Sequence, residues 1–511
     1  MFFPNLPNLN FPMLFPILGL PALLSTSFDF DAACTSIGSQ VATIQNASLV
    51  LAQSVKAGTN LTLPIRDASC GANFQVVSAD ICRVGLNVTT STSSGIYMES
   101  WLPRNWTGRF LSTGNGGLGG CGFGGVNYGD LAYTSALGFA ASGANNGHDG
   151  NTGAPFEGKP EVVKDFAYRS IHTNVVTGKQ ITKMFYGMPH QKSYYFGCST
   201  GGRQGLKSVQ DFPEDFDGVL AGAPAANFNA LTSWSGHFLG ITGPPGSETF
   251  ISSDLWVGLI RESVLKQCDG IDGVEDGIIE DPDVCEYDPS VLLCGEGQTT
   301  GCLTQAQVET VKGVYSPFVG SKGEVLFPRA QPGSESQGVI NYAGVPFQYT
   351  SDWFRYVVYN ASFDPTKITL ADYEYAIALN PFDIATWKGD ISAFRDRNGK
   401  LLSYHGQIDG IITPKNSEAY YDHVLHTMSL DPSSLDDFYR LFRISGMAHC
   451  SGGVGAWSIG GQGSGATTTN LDPGSNVLTA LVKWVEEGVA PETVMGYKYV
   501  NDTRSLGVEF Q

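Results

Sequence analysis

Between Asp67 and Ser142 short apolar runs alternate with glycine and asparagine turns: Phe74 to Val77, Ile81 to Val88, Gly95 to Trp101, Arg109 to Thr113 and Gly138 to Gly143. Short runs punctuated this way read as β-strands. Val163 to Gly187 carries its apolar residues at helical spacing and reads as an amphipathic helix. Another apolar run, Ser193 to Phe196, precedes a helix-like stretch from Arg203 to Gln210, and Asp217 to Gly222 reads as a short buried strand. Strands alternating with helices predict a parallel sheet covered by helices. The rhythm breaks after Pro224. From Asn227 to Phe394 the chain carries four cysteines, an Asp/Gly-rich loop and many aromatics, and the core pattern resumes with Leu401 to His405 and Phe438 to Ile444. The fold class expected is α/β, with a core from residues 28–226 and 395–511. The insertion at 227–394 is placed to form a lid domain.

Candidate chemistry sits where the core pattern turns. Gly197-Cys198-Ser199-Thr200-Gly201 lies between the apolar run and the helix, which is the strand-turn-helix context of a nucleophile elbow. Its glycines leave room for a sharp turn with Ser199 at the apex. Far downstream, Met447-Ala448-His449-Cys450 offers a base. Each stretch sets a cysteine beside its candidate residue, and a Cys198–Cys450 disulfide would hold Ser199 and His449 close together. In an α/β-hydrolase the acid falls between nucleophile and base, just after a core strand. Asp409 fills that slot, to fix the imidazole tautomer and stabilise the imidazolium. Asp422, Asp431, Asp436 and Asp437 fall in helix or loop contexts and rank below it. His405, inside the strand, reads as a core or supporting histidine. An oxyanion hole needs two backbone donors. Thr200 N–H is one, and Gly116 or Gly117, in the Gly-rich loop after Arg109 to Thr113, supplies the other. That loop is no phosphate cradle, because no Gly-Lys-Ser/Thr follows.

The chain has 511 residues, 42% of them hydrophobic, enough for a large core. A net charge of −19 argues against nucleic acid and anionic membranes as partners, since both want basic patches. Ten cysteines without zinc-finger spacing, together with Asn-x-Ser/Thr sequons at Asn46, Asn60, Asn87, Asn105, Asn360 and Asn501, point to an oxidising, glycosylating compartment, hence secretion. Residues 1–27 hold an apolar, proline-containing stretch followed by Ser25-Thr26-Ser27. It reads as a signal peptide or as an apolar N-terminal arm, because no Lys or Arg precedes Lys56.

Within the insertion, Cys268 to Ile278 concentrates carboxylates at turn positions. Asp272, Asp276 and Gly277 match positions 1, 5 and 6 of a calcium loop, and Ile278 is placed to offer its carbonyl. Val274 occupies the third position where Asp or Asn is usual, and Asp269 could supply the missing carboxylate.

The Cys198-Ser199, Asp409 and His449-Cys450 arrangement resembles the CS-D-HC motif of the tannase and feruloyl esterase family, secreted fungal α/β-hydrolases with a large lid. The resemblance implies Ser199, Asp409 and His449 as a disulfide-linked catalytic triad. It also implies a lid calcium ion (Ca2+) held by Asp269, Asp272, Asp276 and the carbonyls of Val274 and Ile278. Further bridges implied are Cys34–Cys82, Cys70–Cys121, Cys268–Cys285 and Cys294–Cys302. Members release hydroxycinnamic acids from plant cell-wall polysaccharides or cleave galloyl esters of tannins. The compact insertion leans towards the feruloyl esterases, with a phenolic ester on plant polysaccharide as substrate. A non-catalytic wall-binding protein on the same scaffold is the contrasting reading, disfavoured because every triad position is filled.

Overall fold

A computed structural model describes residues 28–63, 67–70, 74–120, 127–463 and 471–510. The segment 1–27 and Cys121 lie outside the described residues, and with Cys121 the expected Cys70–Cys121 bridge. The centre of the fold is a nine-stranded sheet. Its strands are β1 (Ala47–Val55), β2 (Ile81–Ser91), β3 (Ser94–Pro103), β4 (Arg109–Thr113), β5 (Phe139–Ala144), β6 (Lys192–Cys198), β7 (Gly218–Gly222), β8 (Lys400–Gly406) and β9 (Tyr439–Ile444). They lie side by side in the order β1-β2-β3-β5-β4-β6-β7-β8-β9. The first three pair antiparallel with one another, and β3 pairs antiparallel with β5. From β5 to β9 every neighbour is parallel. The central strands are short and apolar because helices cover both their faces: Tyr194, Tyr195, Phe196, Val219 and Leu220 are fully buried.

The helices that pack on the sheet are α1 (Phe30–Val41), α2 (Tyr128–Ala136), α3 (Ser170–Tyr186), α4 (Thr200–Asp211), α6 (Lys415–Thr427) and α7 (Val477–Glu487), while α5 (Phe228–Thr242) opens the excursion between β7 and β8. Helix α1 starts at Asp29, whose Oδ1 accepts the N–H groups of Asp31 and Ala32, and Cys34–Cys82 ties it to β2. The stretch expected as one helix from Val163 to Gly187 is helical throughout, starting three residues earlier at Pro160 and ending at Tyr186, but one turn within it is widened. A short helix, Pro160–Lys164, leads into a wide turn over Asp165–Arg169 before α3 begins. The widening turns the carbonyls of Phe166 and Ala167 towards the buried Arg203, which donates to both. Phe74–Val76 is a strand as expected, but it pairs with Asn60–Thr62 outside the main sheet.

Between β7 and β8 the chain leaves the sheet for a long helical excursion. Its interior holds Trp234, Trp256, Tyr342 and Trp353, and the same apolar cluster includes Phe156, Phe166 and Ala225 from the sheet-bearing part. Trp353 packs edge-on against Phe228 at 5.0 Å between ring centroids.

Candidate active site

Strand β6 delivers Ser199 at the mouth of the sheet, and α4 leads away from it. Ser199 holds φ 64°, ψ −125°, a conformation L-residues rarely adopt. Neighbouring backbone fixes it: Ser199 N–H donates to Gly222 O at 3.0 Å, and its carbonyl accepts from Ala225 N–H at 2.9 Å. The flanking glycines are required by close approach. A Cβ at Gly197 would lie 2.7 Å from the carbonyl of Gly201, and one at Gly201 would lie 2.9 Å from Asn115 O.

The Gly-rich loop after β4 is strapped to this turn. Gly114 N–H donates to Phe196 O, Asn115 N–H donates to Gln204 Oε1 at 3.0 Å, and the Thr200 hydroxyl donates to Gly117 O at 2.7 Å. Gly117 has φ 57°, and a side chain there would run into Tyr349 and Asn151. Gln462 lies behind both segments. Its carbonyl accepts from Cys198 N–H, and its amide donates to Gly114 O at 3.2 Å and to Asp130 Oδ2 at 2.6 Å. Burial pushes the Asp130 carboxyl up to about 7, against the hydrogen bonds from Gln462 and Gly463. Gln204, Gln462 and Asp130 are absent from the sequence reading. Each is an isolated polar residue whose partners come from remote strands, and no local pattern announces it.

Asp409 follows β8 and His449 follows β9, and the two loops touch. His449 Nδ1 lies 2.6 Å from Asp409 Oδ2, while Asp409 Oδ1 accepts the N–H groups of Ile411 and Ile412 at 2.8 and 2.9 Å. Burial alone would raise the Asp409 carboxyl, but the imidazoles of His449 and His405 hold it far below the usual carboxylate range. His405 is buried in β8, with Nε2 3.0 Å from Asp409 Oδ2 and 2.9 Å from Ile412 O. Two acceptors facing Nε2 require it to carry the proton, so His405 supports the acid. Of the rival carboxylates, Asp431 caps a short helix and Asp436 accepts from Tyr421.

The nucleophile side and the base side meet through Cys198–Cys450, with Cα atoms 6.0 Å apart across 252 residues of chain. Cys268–Cys285 and Cys294–Cys302 are also joined. A pocket at Ser199 is lined by Gly117, Leu118, Thr200, Phe228, Leu231, Thr232, Ser235, Phe347, Tyr349, Ile411 and Ile412.

In the acidic loop, Asp269 accepts Gly277 N–H with both carboxylate oxygens at 3.0 Å, Asp272 accepts Val274 N–H and Asp276 accepts Ile278 N–H. These bonds tie the loop to its own backbone; Asp272 and Asp276 are exposed and Asp269 is half-buried, and their carboxylates are hard oxygen donors. Among the described residues, no three His, Cys, Asp or Glu side chains lie near enough together to hold a metal ion as they stand. All six sequon asparagines are exposed.

A large mixed sheet with a serine at a strained strand-helix turn and an Asp–His pair after two later parallel strands is the framework of an α/β-hydrolase. The sequence profile described as tannase and feruloyl esterase matches residues 80–368 and 374–508, and the chain belongs to that family. It is 53% identical over 487 residues to a probable feruloyl esterase B-2 of Aspergillus oryzae, covering 95% of this chain and 91% of that one. Two crystal structures superpose over 94% of both chains. One, an esterase from Aspergillus oryzae, gives a TM-score of 0.91 at 53% identity; the other, feruloyl esterase B from the same organism, gives 0.90 at 50%. The chain is a carboxylic ester hydrolase.

Proposed function

We propose that this protein is a secreted serine esterase that releases hydroxycinnamic acids such as ferulic acid from plant cell-wall polysaccharides. The observation that carries the mechanism is the 2.6 Å contact of His449 Nδ1 with Asp409, which leaves Nε2 free for the serine. Ser199 Oγ attacks the ester carbonyl as His449 takes its proton. Thr200 N–H, with Gly117 or Gly116 N–H, steadies the oxyanion. The alcohol leaves with the proton from His449, and water then hydrolyses the acyl-enzyme by the same route. The substrate reading rests on the pocket and on the relatives' names. Phe228, Leu231, Phe347, Ile411 and Ile412 offer an apolar slot suited to a planar ring with a propenyl arm. Three of those five, Phe228, Leu231 and Phe347, lie between β7 and β8, which supports the role of that segment as a lid.

A galloyl ester is the second reading, favoured by the hydroxyls of Thr232, Ser235 and Tyr349, which could meet the extra ring hydroxyls. Steady-state turnover of methyl ferulate and methyl gallate decides between them. We expect the higher kcat/KM for ferulate and a loss of several orders of magnitude in Ser199→Ala with folding intact. A higher value for gallate would install the tannase reading instead.

A structural calcium ion in the acidic loop belongs to the same proposal. Asp269, Asp272, Asp276 and the carbonyls of Val274 and Ile278 would hold it, and the ion would offset the repulsion among the three carboxylates. Their chemistry suits it, and Cys268–Cys285 closes the loop around it. Chelation should lower Tm, and elemental analysis of desalted protein should find about one calcium per chain. Neither effect would be seen if the loop is only a solvated turn.

A further inference from the structure

We infer that Gln337, which lies between β7 and β8, is a positioning residue that locks the acid and the base of the site into register. The inference rests on the serine-esterase reading above. Gln337 sits in a short helical turn, Glu335–Gly338, 73 residues before Gly410 and 112 before His449. Its side-chain carbonyl accepts two backbone N–H groups, from Gly410 at 3.1 Å and from His449 at 3.1 Å. One belongs to the residue after Asp409, and the other to the base itself. Both partners are donors, so the atom facing them must be the amide oxygen. A single acceptor therefore spans the two loops whose separation sets the 2.6 Å His449–Asp409 contact.

The turn that carries Gln337 is itself held against the acid loop. Asn341 Nδ2 donates to Gly410 O at 3.0 Å, so both backbone groups of Gly410 are taken by this segment. The approach is backbone on backbone: a Cβ at Gly410 would lie 2.7 Å from Ser334 O and 2.9 Å from the Gln337 carbonyl carbon. Glu335 anchors the turn from inside, its Oε1 accepting from Gly333 N–H at 2.8 Å and from the Tyr315 hydroxyl. On the far side the base loop is also tethered by Ile408 N–H to Met447 O at 3.0 Å and by the Cys450 disulfide. Those two fix Met447 and Cys450, whereas Gln337 takes hold of His449 directly. The segment that covers the pocket thus also contributes a fixed point to the catalytic geometry.

The test compares Gln337→Met, which keeps length but removes the acceptor, with Gln337→Glu, which keeps an acceptor at the same place. We expect Gln337→Met to lose about 10- to 100-fold in kcat for methyl ferulate, because a misplacement of ~1 Å at the reacting atoms costs about 100-fold. KM should stay within about two-fold, since the residue is not among those lining the pocket. The rate at which a fluorophosphonate labels Ser199 should fall in parallel, and Gln337→Glu should recover most of both. A wild-type enzyme that the probe fails to label at Ser199 would overturn the esterase reading itself. Wild-type labelling together with unchanged kcat in Gln337→Met, or equal losses in the Met and Glu variants, would overturn the role of Gln337 alone.

Discussion

Asp130 and Asp409 are both fully buried carboxylates near the same serine, yet their surroundings drive them in opposite directions. Asp409 faces two imidazoles and two backbone N–H groups, and stays ionised. Asp130 receives hydrogen bonds only from neutral groups, and burial lifts it from 3.8 to about 7. An unfolded chain releases the Asp130 proton near pH 4, whereas the folded one keeps it until about 7. Between those values the folded state binds more protons, so this residue makes stability fall as pH rises. Asp130→Asn removes that dependence. The difference in Tm between Asp130→Asn and wild type should therefore move in the variant's favour from pH 4 to pH 7 and level off above. A difference flat across that range would show that Asp130 is ionised throughout. None of this could be read along the sequence. Ser199, Asp409 and His449 each stand at a strand end marked by glycine or an apolar run, but Asp130 and its partner Gln462 are 332 residues apart, joined only by the fold.

At the scale of elements, legibility followed burial. Strands β6 to β8 are largely apolar because both faces are covered, so composition alone located them. Strand β1 went unread because it is an edge strand whose residues are mostly exposed, leaving no alternation to detect. The widened turn before α3 went unread for another reason: the carbonyls it presents are taken by Arg203, a residue from α4. Four disulfides are in place where the resemblance set them. The Cys198–Cys450 bridge joins the end of β6 to the loop after β9, closing a span where chain entropy gives a nominal ~5 kcal/mol. Its effect on position should exceed its effect on stability, since it fixes the residues next to Ser199 and His449. The double substitution Cys198→Ala/Cys450→Ala should lower kcat by 10-fold or more, on the ~1 Å misplacement scale, while the protein still unfolds cooperatively. A variant with wild-type kcat would assign the bridge to stability alone.

Across the whole molecule, the sheet-bearing part and the excursion share one interior. Phe156, Phe166 and Ala225 lie in the same cluster as Trp234, Trp256 and Trp353, so neither side has a finished surface there. Replacing residues 227–394 with a short linker would expose Phe156, Phe166 and the apolar residues of the same cluster beside them, Leu118, Val162, Val163 and Ile412, to water. Each large apolar side chain uncovered costs about 1.5–3 kcal/mol, and several together exceed the ~5–15 kcal/mol that stabilises a domain. The shortened protein should show no cooperative thermal transition and should bind hydrophobic dyes. A sharp transition in calorimetry would mean that the sheet folds alone.

The cysteine beside His449 is residue 450 of 511, and its partner beside Ser199 is made 252 residues earlier. During synthesis the bond between them has nothing to close on until the 252 residues after Cys198 have been made. It then also requires an oxidant, because two thiols become a disulfide only by giving up electrons. Time and compartment are therefore written into the geometry of the site. A half-made chain, or a finished one still in a reducing milieu, carries a serine and a histidine with no covalent tie between them.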